Sequence, residues 1–534
     1  MQGFTGLSIS QGLAVGKIVF LGTQETAARQ AGSPQEERSR FEAAQRQAVD
    51  ALGALYEKAK AELGEKDAEI FSVHQLMAED EDFTDLVSAA IADGAEASAA
   101  VRQAGEQCAA MFSAMDDEYM RERAADVRDV AARICRILSG EAEHTITAPC
   151  LIAAEELTPS QTVQFPRELV LGMLTARGAA NSHTGILART LGVPAVSQLP
   201  VSRELHGHTA ILDGFSGTLT LDPDEKTLTE ANAKIAAQQA QREALRQLIS
   251  APSVTRDGRS IRLYANIAGT DDLPLLQRSG AEGVGLLRSE FLYLGRSTYP
   301  TEDELFESYK TIVQAMDGRE IIIRTLDIGA DKQAGYFDMP PEDNPALGLR
   351  AIRLCLTRPI LFQTQLCAIL RASRYGNVGI MFPMVTGPDE LHRLKEALSD
   401  AEDVLIARGE RFGPYRVGVM IETPAAVFMS GELAGEVDFF SIGTNDLTQY
   451  LLAMDRQNPN LAPFCDPHHP AVLRAIRQTV ERAHQAGCTV GICGELAADE
   501  SLTEAFLRLG VDELSVAPSR ILPLRQKIRD LTLG

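Results

Sequence analysis

The residues of this chain best suited to chemistry fall into two groups. The first is one histidine, His183, in the stretch TARGAANSHTGILARTLGVP. An apolar run from Glu168 to Leu171 leads into Gly172 and a small polar turn of Gly178, Ala179, Ala180, Asn181 and Ser182. Beyond His183, Ile186, Leu187 and Leu191 recur at helical spacing, and Gly192 and Pro194 stop the pattern. The spacing predicts that His183 stands at or beside the N-terminus of a short helix. Free N–H groups and the positive helix end there favour an anion. A neutral imidazole beside such a site is suited to accept a phosphoryl group, whereas the plain alternative is a histidine that packs or caps.

The second group lies in the C-terminal half: Arg288, Arg324, Glu422, Asn445, Asp446, Arg456 and Cys493. Glu422 and Asp446 are hard oxygen ligands able to hold Mg²⁺, which takes further oxygens from water and substrate. The three arginines offer planar forks for phosphate and carboxylate. Cys493 could move a proton, although an isolated buried cysteine is ordinarily an inert small hydrophobe. Taken together the set suits Mg²⁺-assisted chemistry on a small phosphorylated carboxylic acid, provided one scaffold gathers it.

Such a scaffold is legible from Arg259 onward, where short apolar runs alternate with helical segments as in successive βα units. Eight runs predict a (β/α)8 barrel. They are RLYANI ending at Ile267, GVGLL at Leu287, IIIRTL at Leu326, VGIMFP at Pro383, VGVMIE at Glu422, VDFFSIG at Gly443, TVGICGE at Glu495 and ELSVA at Ala517. In such barrels the active site sits at the C-terminal ends of the strands, and each residue of the second group falls at or soon after one of them. The third connection, from Asp327 to about Asn377, is long for a βα unit and should carry functional loop structure.

The N-terminal half changes character twice. GKIVFL, ending at Leu21, is β-like. From about Ser33 to Gly140 the chain is rich in Ala, Glu, Gln and Arg with helical periodicity, which predicts an all-helical domain of about four helices with stops at Gly64, Gly94 and Gly140. Its acidic run, Glu79-Asp80-Glu81-Asp82, reads most simply as a solvated helix end. Between Thr145 and Asp222 strand-like pieces return, so His183 sits in a compact α/β domain whose sheet GKIVFL completes and which the helical domain interrupts. Asp224 to Ile249 reads as one polar connecting helix, ended by Pro252. The expected organisation is an α/β domain of residues 1–24 plus 144–223, a helical insertion at 25–143, a linker at 224–252 and the barrel at 253–534.

The 534 residues carry a net charge of −23, which argues against nonspecific nucleic-acid binding and favours a basic protein partner. Eight cysteines without a C-x-x-C pair suggest reduced thiols in a cytoplasmic protein. No apolar run approaches the roughly 20 residues of a membrane span, and the N-terminus lacks the pattern of a secretory signal.

These residues resemble a known family, enzyme I of the bacterial sugar phosphotransferase system, the phosphoenolpyruvate–protein phosphotransferases. The likeness runs through DDEYMRERAADVRDV, LTPSQT, SHTGILAR, EGVGLLRSEFLY, RTLDIGADK, NPALGLRAIR, IMFPMV, VMIETPAA, DFFSIGTNDLTQY and CGELAAD. The resemblance implies that His183 is the phosphorylated histidine and Cys493 the acid that protonates the enolpyruvate carbon. Arg288, Arg324, Asn445, Asp446 and Arg456 would bind phosphoenolpyruvate, with Glu422 and Asp446 on Mg²⁺. It further implies that the helical insertion docks HPr, the small histidine-containing phosphocarrier, that pyruvate is released, that the α/β domain swivels, and that a homodimer forms through the barrel. Asn181 stands where the family usually has Thr, Ala330 where a second Gly is common, and the chain ends soon after the eighth βα unit.

Three rivals compete. A phosphoenolpyruvate synthase or pyruvate,phosphate dikinase would share the histidine domain and the barrel but needs an ATP-binding domain, and no G-x-x-x-x-G-K-[ST] loop is present. A metal-dependent keto-acid lyase would use the barrel alone and leave His183 idle. A non-enzymatic phosphorylation sensor would be expected to lack some of Cys493, Glu422 or Arg324.

Overall fold

The computed structural model describes residues 2–21, 31–63, 65–115, 118–140, 146–157, 165–178, 185, 188, 192–329 and 335–534. The chain forms two compact units, Met1–Ala240 and Gln241–Gly534.

The first unit is built on an eight-stranded sheet: β1 (Gln2–Thr5), β2 (Leu7–Ser10), β3 (Leu13–Phe20), β4 (Cys150–Ala154), β5 (Val170–Thr175), β6 (Ala195–Ser197), β7 (Thr209–Asp213) and β8 (Thr218–Leu221), in the order β1-β8-β7-β3-β4-β5-β6-β2. The segment read as GKIVFL is β3, and it is central. It pairs in parallel with β4 and antiparallel with β7. All five residues of β4 are buried because each face of the strand meets its own core. Leu151 and Ala153 pack with Ile18, Leu174 and Leu212, while Cys150, Ile152 and Ala154 pack with Val170 and Met173. That two-sided burial gives the continuous apolar run by which this strand was legible. The short strands β1, β2 and β6 carry no such pattern; β1 and β2 are largely exposed.

Between β3 and β4 the chain forms five helices among the described residues, where about four were expected: α1 (Pro34–Leu63), α2 (Glu65–Glu79), α3 (Glu81–Ala92), α4 (Ala97–Ser113) and α5 (Glu118–Ser139). The extra break lies in the acidic run. Glu79 closes α2, and the Asp80 carboxylate accepts the Phe83 N–H at 3.0 Å as N-cap of α3. Periodicity continues across this junction, so only the capping residue marks it. Phe41, Leu52, Phe71, Phe83, Val87, Val101 and Ile134 form the core of the helical segment. Gly94 and Gly140 follow helix ends at positive φ, as read from the sequence. The polar helix α6 spans Glu225–Arg246, with Asp224 accepting the Thr227 N–H at 2.8 Å. Only Ala231 within it is buried.

The second unit is the expected barrel. Strands β9 (Arg262–Ile267), β10 (Gly283–Arg288), β11 (Ile321–Arg324), β12 (Val378–Phe382), β13 (Tyr415–Ile421), β14 (Phe439–Ile442), β15 (Thr489–Ile492) and β16 (Glu513–Val516) are all parallel and close through β16–β9. Each of the eight apolar runs is one of these strands. Leu286, Ile322, Met381, Met420, Phe439 and Cys493 fill the interior, and a larger apolar layer joins the strands to the surrounding helices. No helix among the described residues is long and apolar enough to cross a membrane.

One interior group is a carboxyl. Glu513 opens β16 and occupies space left by glycines on β10 and β15: a Cβ on Gly285 would lie 2.4 Å from its Oε1, and one on Gly491 at 3.2 Å. Burial pushes this carboxyl up to about 8; Arg262 and Arg416 pull it down, and Glu320 adds to the rise. Because the folded value lies above the unfolded one, the contribution of Glu513 to stability is full at acid pH. It is lost as pH climbs from the usual glutamate range through about 8. Glu513→Gln stays neutral throughout. Wild type should therefore lose stability relative to this variant between about pH 5 and about pH 9, by on the order of a few kcal/mol. Denaturant unfolding of both proteins at the two pH values measures the difference, and parallel pH dependences would contradict it.

Candidate active site

Six of the seven C-terminal candidates lie at or just beyond strand ends, on the face where a barrel carries its chemistry. Arg288 and Arg324 are the last residues of β10 and β11 and are register partners across that pair. Glu422 is the first residue after β13 and Cys493 the first after β15, one place beyond the strand in which the sequence put it. Asn445 and Asp446 lie in the first turn of the helix Thr444–Leu452 that follows β14. Arg456, the seventh, lies in the loop beyond that helix. The turn after Cys493 requires glycine: a Cβ on Gly494 would fall 1.9 Å from Thr444 Oγ1 and 2.7 Å from its nitrogen.

A buried ion-pair chain joins these groups. Arg324 donates to Glu290 Oε1 at 2.7 Å and meets Asp327 Oδ2 at 2.9 Å. Asp327 in turn is gripped by Arg350, with 2.9 and 3.1 Å from Nη2 to its two oxygens. The same Nη2 reaches Asp446 Oδ2 at 3.2 Å, and Arg456 Nη2 stands 3.6 Å from Asp446 Oδ1. Burial opposes charge on Arg324 and Arg350, but the carboxylates around them outweigh it and hold both guanidiniums firmly protonated. Glu422 accepts the Met384 N–H at 2.7 Å through Oε1. Burial first, then the charges of Asp446 and Asp327, push its carboxyl up to about 8, with Arg324 and Arg350 opposing.

Five of the seven candidates line two neighbouring pockets; Arg324 and Glu422 lie behind them and line neither. One, of about 390 Å³, takes in Arg288, Asn445, Cys493 and Glu495. The other, of about 510 Å³, takes in Arg350, Asp446, Tyr450 and Arg456. Asn445 is fixed by an exchange with Glu495, whose N–H donates to its Oδ1 at 2.8 Å. The Cys493 thiol is raised to about 11: burial pushes it up and Glu422 adds to this, while the Ser441 hydroxyl, Arg324 and Arg288 pull it down. It is a protonated thiol at neutral pH, a donor and not a thiolate nucleophile.

Two carboxylates of like charge held close together, one of them raised for that reason, form a pair that a divalent cation would relieve. Asp446 Oδ1 is buried without a hydrogen-bond donor. Among the described residues no group of three or more His, Cys, Asp or Glu stands ready to hold a metal, so an ion here would take its remaining ligands from water and substrate. Arg324 Nε and the hydroxyls of Thr325 and Thr444 are likewise buried without a hydrogen-bond partner at this end of the barrel, as polar groups are where a bound molecule completes them.

His183 lies outside the described residues, as do Asn181 and Ala330. The sequence reading missed Glu290, Asp327 and Arg350, although all three stood inside motifs it quoted. The signal was their type: charged residues in otherwise apolar or small-residue strand ends and loops. Arg350 comes from the long third connection. It approaches Gly329, which is at φ +122, so closely that a Cβ there would lie 2.5 Å from its own Cβ.

Comparison with known proteins places the chain in a family. Residues 242–533 match the family described as PEP-utilising enzyme, PEP-binding domain; residues 5–123 match its N-terminal family and 146–217 its mobile domain. A barrel with this strand-end set, preceded by those two parts, defines a PEP-utilising enzyme. Within that class the matches are specific. The chain is 41% identical over 541 residues to the phosphoenolpyruvate-protein phosphotransferase of Bacillus subtilis (strain 168), covering 100% of this chain and 95% of that one. It is 42% identical over 538 residues to the Geobacillus stearothermophilus protein of the same name, covering 98% and 93%. The chain belongs to the phosphoenolpyruvate–protein phosphotransferase family. Among solved structures, an NMR structure of an enzyme I protein matches 44% of this chain and 99% of its own at 31% identity, with a TM-score of 0.38.

The state of the Cys493 thiol gives a direct test. Its alkylation by iodoacetamide in the folded protein should be slow at neutral pH and accelerate about tenfold per pH unit toward the thiol's raised value. Mass spectrometry of the Cys493 peptide follows the rate, and a pH-independent rate between about pH 7 and about pH 9 would identify a thiolate already formed at neutral pH.

Proposed function

We propose that this protein transfers the phosphoryl group of phosphoenolpyruvate to its own His183 and from there to the histidine of HPr. Pyruvate is released, as the first step of sugar uptake by a phosphotransferase system. The observation that carries the proposal is the strand-end set of Arg288, Arg324, Glu422, Asp446 and Cys493 in a chain 41% identical, over its whole length, to a phosphoenolpyruvate-protein phosphotransferase. In this reading residues 1–24 with 144–223 form the phosphohistidine domain, 25–143 the HPr-docking insertion, 224–252 the linker and 253–534 the phosphoenolpyruvate barrel. The eight free thiols fit a cytoplasmic protein. A homodimer through the barrel is proposed on family resemblance.

Arg288, Arg324 and Arg456 bind the phosphate and carboxylate of the substrate, with Asn445 beside them. Glu422 and Asp446 hold Mg²⁺, which when bound supplies positive charge against the phosphate oxygens. The neutral His183 imidazole attacks phosphorus, so that an N–P bond forms as the P–O bond to the enol oxygen breaks. The guanidiniums stabilise the enolate left behind. Cys493 gives its proton to the methylene carbon, which makes pyruvate, and its thiolate regains a proton from water. A thiol held near 11 keeps that proton until a carbanion-like carbon needs it.

For HPr, α3 and α4 with parts of α2 and α5 enclose a groove of about 750 Å³ lined by Met77, Phe83, Leu86, Met111, Phe112 and Met115. Met111 and Met115 are exposed by 63% and 42%, and adaptable methionine surfaces suit protein partners. Asp80, Asp82 and Asp85 stand at its rim, while Glu79 and Glu81 line a neighbouring pocket with Asp50. The acidic run is thus shared between two surfaces, and Asp80 and Asp82 are its members assigned to docking a basic partner.

Two predictions follow from these assignments. Incubated with Mg²⁺ and labelled phosphoenolpyruvate, the protein should carry acid-labile, base-stable label and pass it to HPr. His183→Ala should take none. Cys493→Ala should still bind phosphoenolpyruvate but form pyruvate about 10²–10⁴ times more slowly. Acid-stable label, or labelling of His183→Ala, would reject the proposal. Separately, Met111→Glu should lower kcat/KM for HPr by about tenfold or more. Neutralising Asp80 and Asp82 should flatten the salt dependence of association. An unaltered kcat/KM for HPr in Met111→Glu would move docking off this groove.

A further inference from the structure

The helix Pro359–Ser373 lies outside the barrel, and its buried face is apolar at Phe362, Leu366, Cys367, Ala368, Ile369 and Leu370. Gln365 interrupts that face while only 1% exposed. A long polar side chain there stays buried only if its amide is satisfied. It is satisfied by atoms from two loops of the active-site end and from the helix Glu302–Ala315. Its Oε1 accepts the Leu326 N–H at 2.9 Å. Its Nε2 donates to Ser289 Oγ at 2.9 Å and to the Tyr309 hydroxyl at 3.2 Å.

The positions of those partners matter. Ser289 stands between Arg288 and Glu290, just past the end of β10. Leu326 stands between Thr325 and Asp327, just past the end of β11. The barrel ladder runs out here: Thr325 N–H still reaches Met381 O at 2.9 Å, and the next buried N–H, that of Leu326, has Gln365 instead of a strand. On the site side the same two loops are joined by Arg324, at 2.7 Å to Glu290 and 2.9 Å to Asp327. The backbones that carry Arg288 and Arg324 are therefore tied twice, by an ion-pair chain facing the site and by one neutral amide behind it. A charge-bearing tie can loosen when a substrate anion competes for Arg324, whereas the amide cannot be recruited by substrate.

We propose that Gln365 is a positioning residue for the phosphate-binding arginines, holding Arg288 and Arg324 at a fixed spacing while their carboxylate partners exchange for substrate. This rests on the phosphoenolpyruvate reading of the barrel site. Gln365 touches no substrate itself and acts only through the Ser289 and Leu326 segments.

The test is steady-state kinetics of the full-length enzyme with Mg²⁺, phosphoenolpyruvate and HPr. Gln365→Met keeps the length of the side chain and removes all three hydrogen bonds. KM for phosphoenolpyruvate should rise about tenfold, the scale of one unsatisfied buried group, with kcat changed less than threefold and KM for HPr unmoved. Ser289→Ala removes one bond and should raise the same KM about threefold. In the double variant the effects should be less than multiplicative, because both act through one tether. Phosphoryl exchange between phospho-HPr and the protein, which needs no barrel chemistry, should match wild type in every variant and reports that the N-terminal unit is intact, and a cooperative wild-type-like denaturant unfolding transition reports that the barrel is folded. A Gln365→Met enzyme with wild-type exchange and a KM for phosphoenolpyruvate within twofold of wild type overturns the inference. If Gln365→Met fails to fold, Ser289→Ala decides, and a wild-type KM in that variant overturns it equally. A wild-type protein that makes no pyruvate from phosphoenolpyruvate overturns the functional reading itself and this inference with it, an outcome recognised before any variant is compared.

Discussion

The C-terminal unit depends on a balance of buried charge. Two guanidiniums, Arg324 and Arg350, sit among four carboxylates, those of Glu290, Asp327, Glu422 and Asp446, with Arg456 approaching from a more exposed loop. Isolated, each of these ions would be costly to bury, and together they hold one another in place. The balance is nevertheless uneven. Burial of Glu422 and the charges of Asp446 and Asp327 beside it push its carboxyl up to about 8. An arrangement that stays short of positive charge until cation and substrate arrive is suited to binding a cation and an anion together. It also explains why so much of the third βα connection is devoted to bringing one arginine, Arg350, back over the strand ends.

The architecture was legible in the sequence to the degree that burial dictated composition. The eight barrel strands are largely buried on both faces and so appear as apolar runs, and β4 and β5 were readable for the same reason. The strands β1, β2 and β6 were not, since four-residue and three-residue edge or near-edge segments need no apolar pattern. The count of helices in the insertion was missed at Asp80, where a cap ends one helix and starts another without disturbing the apolar rhythm.

The site was legible in a different way. Residues with distinctive chemistry at strand ends, such as Cys493 and Glu422, could be picked out directly. Those that act through a neighbour could not. Arg350 reaches Asp446 across 96 positions of sequence and Gln365 reaches Ser289 across 76, and no local pattern encodes such pairings. A buried glutamine on an otherwise apolar helix face is the sole trace that Gln365 leaves in the sequence, and it takes on meaning only when its partners are known.

The placement of β3 bears on how the chain is made. β3 is the middle of its sheet, yet both of its neighbours, β4 and β7, lie beyond the helical insertion. On a ribosome adding about 5–20 residues each second, β3 emerges and then waits for roughly 130 more residues before β4 can pair with it. The five helices, rich in local contacts, can assemble in that interval, since contacts near in sequence form fastest. The nascent protein would thus acquire its helical segment before it has a sheet to mount it on, with a partly apolar strand left uncovered until synthesis has passed β7.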